Sequence, residues 1–161
     1  MGKFSKAFEQ GQVAAESAAQ ANAEIDEVFR EMANDLCQTT DGKLVVTIET
    51  SDKFRSLVMT TISLMSGNPS TEPSKDFWIC AKNPTAADSK PVRLAGFQRP
   101  YEGYPCSIEY GNSEVRCNDA VALTAALNTM LQNAWVASEL RKIVDRQPID
   151  ESNAKADGSG Q

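Results

Sequence analysis

The chain contains no histidine, and its four cysteines stand at positions 37, 80, 106 and 117. Histidine is the usual general base near neutral pH, the commonest metal ligand and the usual partner of a serine or cysteine nucleophile. Its absence weighs against most hydrolytic and metal-assisted chemistry. Cys37, Cys80, Cys106 and Cys117 form no CxxC pair, so a structural zinc would need all four to converge, and no metal or other cofactor is expected. No phosphate-cradling glycine loop, GxSxG or HExxH occurs in the sequence. Carboxylates are plentiful but fall mostly on helix faces and turns, where they are ordinarily solvated. A histidine-free enzyme built on paired carboxylates is therefore the last of three functional readings.

The residue types best suited to recognition cluster in one stretch. On an expected strand from Val92 to Arg99, Arg93, Ala95, Phe97 and Arg99 share a face by simple alternation. Tyr101 and Tyr104 follow directly, and Trp78 lies on the preceding strand. Aromatics interleaved with arginines on a sheet suit a protein hot spot or the stacking of unpaired bases. Between Lys75 and Tyr104, five bases (Lys75, Lys82, Lys90, Arg93, Arg99) oppose three acids (Asp76, Asp88, Glu102). That balance is thin for a nucleic-acid footprint. The competing reading places Phe97 and Trp78 in the core and leaves the arginines as decoration.

The elements that must position these residues begin with a long helix. From Lys3 to Gln38 there is no proline, and only Gly11 interrupts good helix formers. Phe4, Phe8, Gly11, Ala15, Ala18, Asn22, Ile25, Phe29, Met32 and Leu36 follow in steps of four and three, a heptad pattern. The apolar weight lies between Ile25 and Leu36. Such a helix spans about 54 Å against a globule roughly 35 Å across, so one end must overhang, bend near Gly11 or dock. Small residues on the seam allow close approach, and Asn22 at a core position could fix register in a coiled coil. Phe4, Phe8, Ala15, Ala18 and Asn22 are thus the candidate contacts to another protein or a second copy. Fraying of the first two dozen residues is the alternative.

Beyond a turn at Thr39–Gly42, Leu44, Val46 and Ile48 alternate as a strand, and Ser51 caps a second helix from Asp52. Strands follow over 76–82 and 92–99. A hairpin then pairs 106–110 with 113–117 across Gly111-Asn112, setting Cys106 opposite Cys117. That is a hydrogen-bonded pair with wide Cα spacing, so buried free thiols are expected rather than a disulfide. Asn118 is expected to cap a long final helix with a weak point at Gln132-Asn133, and residues 146–161 read as a flexible polar tail. The division is a helix over 1–38, an α+β domain over 39–145 and the tail.

The fold class is α+β: an N-terminal helix, then β-α-β-β-β-β-α, an antiparallel sheet with helices packed on one face. That order resembles one repeat of the TATA-binding-protein fold and, more loosely, a helix-grip fold, in topology alone. Topology of this kind assigns no function. Net charge is −6 overall and −4 over residues 1–38, which disfavours the long helix as a surface for nucleic acid or anionic membrane. No apolar run approaches the ~20 residues of a membrane span, and the N-terminal sequence lacks the apolar stretch of a signal peptide. A cytoplasmic protein with no membrane partner is expected. The leading reading is a non-catalytic interaction module of the small regulator, inhibitor, immunity, chaperone or phage-accessory type, acting as an oligomer or in a heterocomplex. Single-stranded nucleic-acid binding on the open sheet face is the alternative.

Overall fold

The computed structural model describes residues 2–50 and 75–150. Its elements are α1 (Ser5–Thr39), β1 (Val45–Thr50), β2 (Lys75–Lys82), β3 (Val92–Arg99), β4 (Cys106–Tyr110), β5 (Ser113–Cys117), α2 (Ala120–Gln132) and α3 (Ala134–Val144). The helix expected from Asp52 and the loop after it lie outside the described residues. The five strands form one antiparallel sheet in the order β1-β2-β3-β4-β5, so the α+β class holds. One sheet face carries Val46, Ile79, Ala81, Ala95, Phe97 and Ile108. It meets Ile25, Phe29 and Met32 of α1, Leu123, Leu127 and Met130 of α2, and Val136 and Ile143 of α3 in a single core.

The hairpin forms in the expected register. Cys106 pairs with Cys117, Ile108 with Val115 and Tyr110 with Ser113, and Gly111 takes the positive φ (58°) that the first turn position requires. Both cysteines are buried and free. Turn residues stop α1 as read: the Gly42 amide, at φ 79°, donates to the Cys37 carbonyl.

Two local expectations are corrected, and the weak point at Gln132-Asn133 is a break. The cap of α2 is Asp119, whose side chain accepts from the Ala122 amide, and not Asn118. The final helix is two helices, because Asn133 adopts an extended ψ of 131° and its side chain accepts from the Trp135 and Val136 amides. One extended residue rotates the helical phase, so Val136 and Ile143 turn inward while Ala134 and Ala137 stay exposed. Asn133→Ala removes this cap and is expected to cost about 1 kcal/mol in thermal or urea unfolding.

Residues 146–148, read as the start of the polar tail, are tied to the globule. Arg146 donates to the Asp88 and Lys90 carbonyls, and Ala86 and Pro148 form a bridge. Buried Asn83 holds the end of α3 against the β2–β3 connection by donating to the Ile143 carbonyl while accepting from Thr85. These bonds engage backbone groups that hydropathy does not report.

Candidate functional site

The stretch read as a recognition surface is divided between the two faces of the sheet. β3 carries a bulge: Ile79 pairs with Ala95 and Cys80 with Arg93, leaving Leu94 without an opposite residue. The bulge shifts the side-chain alternation by one, so Arg93 leaves the face that holds Ala95, Phe97 and Arg99. This overturns the shared face expected from alternation. Phe97 is 1% exposed and packs edge-on against Phe29 at 4.8 Å, with Phe77 at 6.0 Å. It is core.

Arg99 turns toward α1. Its guanidinium lies 2.7 Å from the Asp26 carboxylate and 5.4 Å above the Phe77 ring. Tyr101 is exposed, and its backbone carbonyl accepts from the Asn22 side chain, which also donates to the Ala18 carbonyl. Tyr104 is half-buried, and its hydroxyl has no hydrogen-bond partner among the described residues. Burial, then the nearby charge of Glu24, pushes its pKa up to about 12. These contacts are internal. They close the 100–105 turn over α1 and leave no continuous aromatic surface among the described residues.

Gly103 makes that closure possible. It sits at φ 87°, and a Cβ there would lie 2.8 Å from the Ala21 side chain. Gly103→Ala therefore combines backbone strain with a clash against α1. It is expected to cost about 2–3 kcal/mol in equilibrium unfolding.

On the open face, Arg93 stacks over the Trp78 ring at 4.9 Å. Trp78 belongs to a cross-sheet row that runs Glu49, Trp78, Gly96, Glu109, Glu114. Three glutamates in that row oppose an approaching phosphate backbone. Cys80 lies beside them on the same face, buried, and its thiol is pushed up to about 11, chiefly by burial and then by Glu49. Among the described residues, no three of the His, Cys, Asp and Glu side chains gather as a metal set.

The projecting part of α1 is the second surface. The helix is continuous from Ser5 to Thr39. Ala18 is its first buried residue, and the stretch from Ser5 to Ser17 extends about 20 Å beyond the core. Phe4, Phe8 and Val13 are 84%, 69% and 66% exposed. The set of candidate contacts therefore divides. Phe4, Phe8 and Ala15 are free for another chain, whereas Ala18 packs on the chain's own globule and Asn22 bonds to its 100–105 turn. Val13 was missed because it lies off the heptad seam. An isolated branched apolar residue in a polar strip was its only signal. Half-exposed Trp135 was likewise missed: the weak point at Gln132-Asn133 was legible, but not the phase in which α3 resumes after it.

Charge divides at the same place. Residues 1–17 carry Lys3, Lys6, Glu9 and Glu16 and are neutral, so the acidic excess lies on Glu24–Asp35. No family model, curated protein or solved structure matches the chain, so the sites are argued from their geometry alone. No described helix is long and apolar enough to cross a membrane.

Proposed function

We propose that the chain is a cytoplasmic, non-catalytic protein-interaction module of the small regulator, inhibitor, immunity, chaperone or phage-accessory kind. It engages another protein, or a second copy of itself, through the projecting part of α1. The observation that carries this reading is an intact helix running past its own core with two phenylalanines on the outward continuation of the core seam. Left in water, this end of the helix is costly. It has no side-chain cap and no acid in its first turn, and Lys3 and Lys6 oppose the helix dipole. Burial of the two phenylalanines would return about 1.5–3 kcal/mol each.

Affinity capture from the native source tests the proposal, with the full chain compared against Phe4→Glu/Phe8→Glu. Both substitutions lie beyond the core, so folding should be unaffected by circular dichroism. The native chain should retain a defined protein that the variant loses. An identical set of bound proteins from both would contradict the reading.

Single-stranded nucleic-acid binding draws on the Arg93–Trp78 stack. The glutamate row beside it argues for weak binding that disappears at physiological salt.

A further inference from the structure

We infer that residues 4–15 pair with the same segment of a second copy of this chain, antiparallel, so that Phe4 meets the partner's Ala15 and Phe8 meets the partner's Gly11. This rests on the reading of the projecting helix as the interaction surface, and it names the occupant. The seam there carries two large residues followed by two small ones, Phe4, Phe8, Gly11 and Ala15. In an antiparallel pair with this register, every layer joins one large residue to one small one, and the helices keep a single separation. In a parallel pair, Phe4 and Phe8 stack on themselves while Gly11 and Ala15 face their own copies. Two overfilled layers would then precede two hollow ones, a poor match for close packing.

The globule favours the same orientation. From Ala18 onward the seam is covered by the chain's own core and by the turn at Gly103. Parallel helices facing along the seam would drive the two globules into the same space. Antiparallel helices put them at opposite ends. Charge does not oppose it, because residues 1–17 are neutral and the acidic Glu24–Asp35 stretches lie at the outer ends.

Four layers bury less than a stable dimer interface. The pairing should therefore be concentration-dependent, with a dissociation constant on the order of 100 μM.

Sedimentation of the full chain from about 10 μM to 1 mM should show mass rising from one chain toward two. Gly11→Phe sets a large residue against the partner's Phe8 and should weaken association at least tenfold. A Cβ at Gly11 meets nothing within 4 Å, so the monomer is unaffected. The double variant Phe8→Ala/Gly11→Phe restores one large and one small residue to each layer and should recover association to within a few fold. A parallel pair makes the opposite prediction, because Gly11→Phe would fill a hollow layer and strengthen it. A chain that stays monomeric at 1 mM, or a Gly11→Phe variant that associates as well or better, overturns the inference. Either result leaves the capture experiment free to report a different partner protein.

Discussion

Phe97→Ala is expected to destabilise the chain by about 3–5 kcal/mol, measured by urea unfolding at neutral pH. Among the described residues Phe97 is the largest fully buried side chain, on β3, with contacts to Phe29 of α1 and Phe77 of β2. Its removal opens a cavity where helix and sheet meet, and the edge-on aromatic contact is lost with it. Trp78→Ala provides the contrast, because Trp78 is half-buried, lying against Gly96 and Arg93 on the face opposite the helices. It should cost about 1–2 kcal/mol. Equal costs would mean that the open face is as closely packed as the helix-covered one.

Stability should also fall steeply in alkali. Burial pushes the Cys106 thiol up to about 12 and the Cys80 thiol up to about 11, from an ordinary value of 9.0, and raises Cys117 in the same direction. The charged thiolate is disfavoured in the fold, so the unfolded chain loses its protons first. Stability is then complete below pH 9 and declines as pH rises toward 11, the unfolded state binding fewer protons throughout that window. Each such thiol contributes a loss on the order of 1 kcal/mol per pH unit in that window, appreciable against the stability of a small domain. Urea unfolding at pH 8, 9, 10 and 11 measures the slope. Cys80→Ala/Cys106→Ala should be less stable at pH 8 through lost packing, yet flatter across the window. An unchanged slope would assign the alkaline loss to other groups.

Much of the fold was legible because the features that fixed it were local. The Gly111-Asn112 turn set the register of β4 on β5, and with it the facing of Cys106 on Cys117. A proline-free heptad run specified α1, and its length compared with the globule required an overhang. The helix break at Gln132-Asn133 was visible for the same reason.

The candidate site was less legible, because its geometry depends on single-residue shifts of phase. Val92 to Phe97 alternates plausibly in either register, and the adjacent apolar pair Leu94-Ala95 was the one mark of the bulge that turns Arg93 away from Phe97. Ala18 and Asn22 fit a helix seam equally well whether a second helix or the chain's own 100–105 turn approaches. Small residues report that something comes close, without reporting what. Only Gly103, with its positive φ against Ala21, distinguishes the two cases, and it lies eighty residues away in sequence.

The central claim is that partners meet this chain on the projecting helix and not on the open sheet. Photo-crosslinking in the native cell tests it directly, with a photoreactive phenylalanine analogue at position 8 in one form of the chain and at position 78 in another. The predicted result is a discrete protein adduct from position 8 and none from position 78. Adducts from position 78 with none from position 8 would contradict the account.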